Sequence, residues 1–199
     1  MNSIVMDTSN HYLVVALYQD DRCLDFIQEE GNRRQSEYEL VKLQELLDRQ
    51  EMELLDFYEI IITIGPGSYT GERVALTIAK TLVAVSSMKC KVVSSLKAYA
   101  GYDKAVSILD ARSKKMYVGV YDNGKNVIDE TLLPVDQFDT FIKQYPDYKI
   151  VGDVSLIGNK KTEVRLYETI YELSKLEDYV SNMDKLVPHY IKEVEARKL

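Results

Sequence analysis

The stretch IIITIGPGSYTGERVALTIAKTLVAVS, residues 60–86, decides the fold class, because it joins a buried strand to a helix through a glycine-rich turn. Its first part, Ile60–Ile64, is a continuous β-branched run, which is typical of a strand buried on both faces. Gly65–Gly71 ends this run abruptly, and Glu72–Ser86 is predicted to form a helix. The pattern therefore predicts an α/β protein.

The helix predicted over Glu72–Ser86 is apolar nearly all round, so it must be covered on more than one side. Its own sheet covers one side. The remaining cover is either the helix predicted over Ser36–Gln50 or the helices of another protein, and the sequence leaves both possibilities open. At the start of the Ser36 helix, Ser36 and Glu39 have the spacing of a capping box.

Three β-prone segments precede these helices, and a fourth follows them. The predicted strands are Ser3–Met6, Tyr12–Tyr18, Cys23–Gln28 and Lys91–Ser94. From Ser107 onward the chain repeats the first three segments at an offset of 103 (110 − 7), so that Asp110 matches Asp7 and Tyr121 matches Tyr18. Two β-meanders can look alike by chance, but a duplication is the favoured interpretation. It predicts two related lobes, residues 1–100 and 101–199, each a mixed sheet with packed helices.

Composition excludes several classes of protein. The 199 residues carry a net charge of −7, which argues against a stand-alone nucleic-acid-binding protein, because such proteins need a basic face. The short basic pairs Arg33–Arg34 and Lys160–Lys161 are interpreted as solvated loop charge. No apolar run approaches the roughly 18 residues that span a bilayer, and the N-terminus has no basic region of the signal-peptide kind.

The chain has few groups of the usual catalytic kinds. Its two histidines, His11 and His189, lie near opposite ends of the chain and form no helical metal-binding pair, so no metal site is predicted. Asp7 and Asp110 each end a strand, where an acid can hold a metal-bound water or accept local backbone hydrogen bonds; the second role is favoured. Gly65–Gly71 could cradle a phosphate at a helix N-terminus, but an acid follows it directly, and a tight structural turn is the preferred interpretation.

The glycine-rich segment also carries a family resemblance. The sequence resembles the TsaB family, also called YeaZ, whose signature is GPGS[FY]TG-x-R after a β-branched strand. The matching residues are Gly65, Pro66, Gly67, Ser68, Tyr69, Thr70, Gly71 and Arg73. Further stretches that agree with the family are Met6–Ser9, Ser36–Glu37, Asp110–Tyr117 and, more loosely, Pro188–Lys192.

The resemblance implies an actin-like ATPase (sugar kinase/heat-shock) architecture with two duplicated lobes, the second one reduced. It also implies a non-catalytic subunit that binds a TsaD-like enzyme and supports threonylcarbamoyl transfer to the adenosine next to the anticodon of tRNA. The ATPase TsaE would join through that complex, and tRNA contact would be indirect. Such a protein is expected in the cytoplasm, with no intrinsic cofactor, with ATP at the level of the complex, and with a capacity for self-association. Asp7, Thr8 and Asp110 would mark a vestigial nucleotide site.

The resemblance implies that the first two helices form the partner interface. The residues predicted to contribute are Leu40, Leu43, Leu47, Val74, Leu76 and Lys80. We expect Leu43→Glu to abolish binding while leaving the fold intact. Glu72 stands where the family commonly has Leu, which would put an acid near the interface. The alternative function is that of an ATP-dependent phosphotransferase of the same architecture, with Asp7 or Asp110 holding a metal–nucleotide complex.

Overall fold

The computed structural model describes residues 1–31, 35–160 and 163–191, and in the first helix it describes the side chains from Glu37 onward. Arg33–Arg34, Lys161, Lys192 and the side chain of Ser36 lie outside the described residues.

The described residues form nine strands. They are β1 (Asn2–Asp7), β2 (Tyr12–Gln19), β3 (Arg22–Glu30), β4 (Glu59–Thr63), β5 (Lys89–Val93), β6 (Ala105–Asp110), β7 (Lys115–Asp122), β8 (Lys125–Pro134) and β9 (Lys149–Gly152). The α-helices are α1 (Gln35–Gln50), α2 (Tyr69–Val85), α3 (Ser95–Ala100), α4 (Phe138–Phe141) and α5 (Leu166–Ser174). Single 3₁₀ turns span Leu54–Asp56, Val135–Gln137, Ile142–Gln144 and Val154–Ile157.

The first sheet has the strand order β3-β2-β1-β4-β5. Strand β1 pairs antiparallel with β2 and parallel with β4, and β4 pairs parallel with β5. Every residue of β4 is buried, which confirms the prediction from its β-branched run. The parallel strands end at one edge of the sheet, and the glycine-rich turn leaves β4 at that edge.

The second sheet has the order β8-β7-β6-β9 and repeats the same pairing pattern. Strand β6 pairs antiparallel with β7 and parallel with β9, as β1 does with β2 and β4. The predicted α/β fold, with two mixed sheets that share one strand topology, is thus confirmed.

The predicted gapless offset between the copies is wrong by one residue in the first strand. Val14 and Tyr117 both face the core between the sheets and are 103 residues apart (117 − 14). Their pairing partners, Asp7 and Leu109, are only 102 residues apart (109 − 7). Leu109 therefore occupies the place of Asp7. Asp110 pairs instead with Met116, whose side chain packs on the opposite face of the second sheet.

Helix α2 is covered on three sides within the chain itself. It packs on the first sheet and against α1, and the segment 180–186 near the C-terminus supplies the third side with Val180, Met183 and Leu186. Neither of the two predicted covers included this last segment.

The helix also begins at Tyr69, three residues before the predicted start, because the Ser68 side chain caps it by accepting from the Gly71 N–H at 3.3 Å.

Helices α3 and α5 fill the space between the two sheets. Helix α5 lies against the first sheet, where Tyr18 of β2 stacks on Tyr171 with ring centroids 3.8 Å apart. Leu166, Ile170 and Leu173 of this helix are fully buried there.

Candidate functional site

The glycine-rich turn packs directly on the loop that follows β1. A side chain at Gly71 would place its Cβ 1.9 Å from the backbone oxygen of Thr8, and one at Gly67 would lie 2.1 Å from that of Ser9. The Ser68 N–H donates to the Ser9 carbonyl at 2.6 Å, and the Thr8 hydroxyl donates to the Gly71 carbonyl at 3.1 Å. The glycines thus allow two backbones to touch, which is the structural role favoured by the sequence.

Three N–H groups around this turn donate within the protein. Besides Ser68, Gly71 donates to the Ser68 hydroxyl and Glu72 donates to the Ser68 carbonyl at 2.9 Å. On the facing loop, Ser9 donates its N–H to the Asp7 carboxylate at 2.8 Å. A phosphate cradle needs such groups pointing at the ligand.

Three carboxylic acids are buried behind this turn. Asp7, Glu39 and Glu72 are each at most 1% exposed. Asp7 accepts from the hydroxyls of Ser9 and Thr63, whereas Glu39 Oε1 and Glu72 Oε2 have no hydrogen-bond partner within the described residues. Burial raises the pKa of Asp7, and burial together with the nearby Asp7 raises the pKa values of Glu39 and Glu72 to about 8 each. At neutral pH the two glutamic acids are therefore mostly protonated.

This placement corrects two expectations. Glu72 does not stand at a partner surface, because its carboxyl group lies under Gly65, where a Cβ would come within 2.5 Å of Glu72 Oε1. Glu39, predicted to complete a capping box, directs its Oε2 to the Thr8 hydroxyl at 3.4 Å instead. The spacing in the sequence is consistent with this burial. Glu39 precedes Leu43 by four residues and Leu46 by seven, so the three side chains lie on the same, buried face of α1.

A cleft of about 660 Å³ separates the two sheets at this edge. Thr8 and Asp110 line it, but Asp7 is buried behind its wall. Asp110 accepts from the N–H and the guanidinium of Arg112 at 2.8 and 3.0 Å, which is the local role favoured by the sequence. Across the cleft, His11 Nε2 lies 3.2 Å from Asp153 Oδ1.

The cleft is a poor match for ATP. The N–H groups of Ser68, Gly71 and Glu72 are bonded internally, and the buried acids behind the turn would oppose a polyphosphate if ionised. The predicted acids also differ in position, since Asp7 faces the first sheet's inner side and Asp110 the outer face of the second sheet. No catalytic step through a nucleotide follows from these residues.

A second concave surface lies between α1 and α2 and is mainly apolar. This groove of about 340 Å³ is lined by Glu37, Leu40, Tyr69, Thr70, Arg73, Val74, Thr77 and Ile78. Of the predicted interface residues, Leu40 is 54% exposed and Val74 is partly exposed, and both line the groove. Lys80 is also partly exposed, but its Nζ lies 3.4 Å from the Asp184 carbonyl oxygen, on the side of α2 covered by the C-terminal segment.

The other three predicted interface residues lie in the core. Leu43, Leu47 and Leu76 are between 2% and 7% exposed and pack under the helices against the first sheet. Their assignment to a partner surface is corrected, because a side chain already packed inside cannot reach another protein. Conversely, the sequence interpretation did not include Glu37, which shares the groove with Tyr69 and Arg73.

The described part of the chain offers neither a metal site nor a membrane span. Within residues 1–31, 35–160 and 163–191, no group of three or more His, Cys, Asp or Glu side chains could hold a metal ion. Over the same residues, no helix is long and apolar enough to cross a membrane.

Comparison with known proteins finds relatives that are named for tRNA modification. Residues 29–195 match the family model described as TsaD, tRNA N6-adenosine threonylcarbamoyltransferase. The chain is similar to the tRNA threonylcarbamoyladenosine biosynthesis protein TsaB of Bacillus subtilis, with 33% identity over 67% of this chain and 60% of the relative. TsaB of Buchnera aphidicola is 24% identical over 64% of this chain and 62% of its own length. The matches thus span about three fifths of these relatives.

The fold is also similar to that of a solved structure. YeaZ from Pseudomonas aeruginosa superposes with a TM-score of 0.74 over 95% of this chain and 99% of the YeaZ chain, at 21% identity. At that identity the likeness concerns the fold alone.

Proposed function

The chain belongs to the family of the TsaD model, with TsaB and YeaZ proteins among its relatives, and on this premise we propose that it is a non-catalytic subunit in tRNA threonylcarbamoyladenosine biosynthesis. It binds a TsaD-type enzyme and supports that enzyme's transfer of a threonylcarbamoyl group to the adenosine next to the anticodon. The chain itself contributes binding energy and position, and the chemistry takes place on its partner.

The observation that carries this proposal is the exposed groove between α1 and α2. Its walls are largely apolar, and Leu40 and Tyr69 stay about half exposed in the isolated chain. An amphipathic helix can lay its apolar stripe into a groove of this kind. Tyrosine and arginine, both present here, are the residue types that most often carry binding energy at protein interfaces.

The contacts around the glycine-rich turn support a binding role over a catalytic one. The Ser68 N–H donates to the facing loop, the Gly71 and Glu72 N–H groups donate to Ser68 itself, and the acids behind the turn are buried. We propose that ATP and a TsaE-type ATPase act at the level of the complex, and that tRNA is reached through the partner. The net charge of −7 agrees with this division, because it disfavours direct binding of the chain to tRNA.

The test mixes the purified chain with the TsaD-type protein of the same organism and measures molar mass by size-exclusion chromatography with light scattering. We expect a heterodimer. Leu40→Glu should abolish it without changing the melting temperature, because the new charge would be buried unpaired at the interface. The matched control is Leu176→Glu, since Leu176 is 51% exposed after α5, on the opposite face of the first sheet.

Two outcomes would contradict the proposal. One is separate elution of the wild-type proteins, with and without ATP and tRNA. The other is micromolar binding of Mg-ATP by the isolated chain, which would favour the phosphotransferase alternative.

A further inference from the structure

The chain after α5 returns along α2 as an extended segment, here called the C-terminal arm (residues 178–191). At its start, the Val180 N–H donates to the carbonyl of Cys90 in β5 at 2.8 Å. Met183 and Leu186 then pack with the core beside α2. Near its end, the His189 N–H donates to the Ile64 carbonyl at 2.8 Å, directly before the glycine-rich turn. Backbone hydrogen bonds thus hold the arm against the first sheet near both of its ends.

The last part of the arm reaches the rim of the groove between α1 and α2. The Tyr190 ring stacks on that of Tyr69, with centroids 5.5 Å apart and planes inclined by 26°. Arg73 donates from Nε to the Tyr190 hydroxyl at 3.1 Å, and its guanidinium lies 4.1 Å from the centre of the Tyr69 ring. Tyr69 and Arg73 line the groove, so Tyr190 extends its wall beyond the two helices.

We propose that the C-terminal arm forms part of the docking surface, with Tyr190 as a residue that contacts the TsaD-type partner directly. This inference rests on the proposed function and names a second element of the same interface. Tyr190 is 44% exposed although it is held by a ring and by a hydrogen bond. An aromatic side chain that is fixed and exposed before binding loses little conformational entropy when a partner covers it.

Charge at the groove indicates the chemistry of the helix that fits it. Glu37 stands on the α1 wall, and Arg73 stands on the α2 wall beside Tyr190. The matching partner helix has an apolar stripe flanked by a basic residue opposite Glu37 and an acidic residue opposite Arg73. The arm then adds an aromatic face against which the side of that helix packs.

A purely structural role for the arm makes a different prediction. In that case the stacking of Tyr190 on Tyr69 would only close one end of α2, and replacing Tyr190 would change stability but not affinity. The two roles are separated by measuring both quantities on the same variants.

The experiment determines the dissociation constant for the TsaD-type protein by isothermal titration calorimetry, alongside the melting temperature of each variant. We expect Tyr190→Ala to raise the dissociation constant about tenfold or more. Tyr190→Phe keeps the ring and loses only the hydrogen bond from Arg73, so it should show a smaller loss. The matched control is Tyr102→Ala, because Tyr102 is also 44% exposed and donates its hydroxyl to a backbone carbonyl of α5.

The outcomes separate this inference from the proposed function. If the wild-type chain binds and Tyr190→Ala binds equally well, the inference is overturned while the proposed function stands. If the wild-type chain does not bind at all, the proposed function itself fails, and the inference fails with it. Should Tyr190→Ala weaken only self-association of the chain, the surface belongs to a second copy and the assignment to the TsaD-type partner is overturned. If Tyr190→Ala melts early, its dissociation constant is measured at a temperature at which the variant stays folded: weaker binding than the wild type there supports the inference, and equal binding overturns it.

Discussion

Because glycine has no Cβ, Gly71 allows α2 to approach the loop after β1 closely. A Cβ there would lie 1.9 Å from a backbone oxygen of Thr8, and neither backbone can move without breaking the hydrogen bonds between them. We expect Gly71→Ala to lower the free energy of unfolding by about 3 kcal/mol, at the upper end of the overpacking range. Urea unfolding measures this loss.

Gly158→Ala is the matched control for this substitution. Gly158 has a φ of +76°, but a Cβ added to it would meet nothing within 4 Å, so only the left-handed backbone should cost energy there, about 1 kcal/mol. Equal losses at the two positions would mean that the close contact at Gly71 is not what requires glycine.

The buried acids make stability depend on pH in an unusual direction. The pKa values of Glu39 and Glu72 rise from 4.5 in the unfolded chain to about 8 in the folded one. Between these values the folded state binds more protons, so the free energy of unfolding should fall as pH rises from about 4.5 to 8, by up to about 1.4 kcal/mol per pH unit for each acid. Below pH 4.5 this contribution is fully present, and above pH 8 it is lost.

Glu39→Gln tests this assignment, because an amide cannot ionise. Urea unfolding between pH 5 and 8 should show a shallower decline for Glu39→Gln than for the wild-type chain. Glu45→Gln is the control, since Glu45 lies on the exposed side of the same helix and pairs with Lys42 and Arg49. An identical pH slope for the wild type and Glu39→Gln would rule out Glu39 as the source.

These residues also show which features of the site can be predicted from a sequence motif alone. The role of the glycines followed from their spacing, because only close backbone contact or a bound phosphate requires so many of them in one turn. The buried acids did not follow in the same way. The local distance from Ser36 to Glu39 predicted a cap, whereas the contact of Glu39 with Thr8 joins residues 31 positions apart.

On the scale of elements, helix α1 has one buried face and one exposed face. Leu43 is 2% exposed and Leu40 is 54% exposed, although they lie only three residues apart. Leu43→Ala should lower the free energy of unfolding by about 2–5 kcal/mol, whereas Leu40→Ala should change it by less than about 0.5 kcal/mol. Thermal or urea unfolding of the two variants measures the difference.

Burial of Leu43 also overturns the expectation that Leu43→Glu leaves the fold intact. A charge at a buried position of α1 should unfold the chain instead of selectively blocking a partner. If Leu43→Glu kept the wild-type melting temperature, the packing of α1 on the first sheet would be contradicted.

Periodicity predicted most elements of the chain but not what covers them. The strand positions and the apolar character of α2 could be derived from the order of residues alone. The third cover of α2 could not, because the residues that supply it follow the helix by about a hundred positions and have no regular pattern of their own. Helix α3 was missed for a related reason: six residues are too few to establish a helical period.

Across the whole molecule, duplication was predicted from the sequence, but the exact equivalence of the lobes was not. One residue more between Leu109 and Tyr117 than between their counterparts Asp7 and Val14 turns Asp110 to the opposite face from Asp7. Since side chains alternate along a strand, a difference of one residue is enough to separate two acids that match in a gapless alignment. A pair of equivalent acids facing each other across the cleft is therefore not expected in this chain.

Contact between the lobes at the cleft depends instead on Asp153. Its Oδ2 accepts from the Asp110 N–H at 2.7 Å in the second sheet, and its Oδ1 lies 3.2 Å from His11 Nε2 in the loop of the first sheet. The backbone oxygen of His11 in turn accepts from the Gly31 N–H at 2.6 Å. Both sides of the cleft are thus connected to one carboxylate.

Asp153→Ala should loosen both sides of the cleft together. Hydrogen bonds to a charged group contribute about 1.5–3 kcal/mol, so we expect amide hydrogen exchange at Asp110 to accelerate by about tenfold or more, with a smaller acceleration at Gly31. The core amide of Ile61 reports global unfolding and should keep its protection relative to overall stability. Asp103→Ala is the control, because its ion pair with Lys149 is exposed and lies on the second sheet alone. Faster exchange at Asp110 without any change at Gly31 would show that the contact with His11 does not hold the lobes together, whereas unchanged exchange at both would contradict the role of Asp153 altogether.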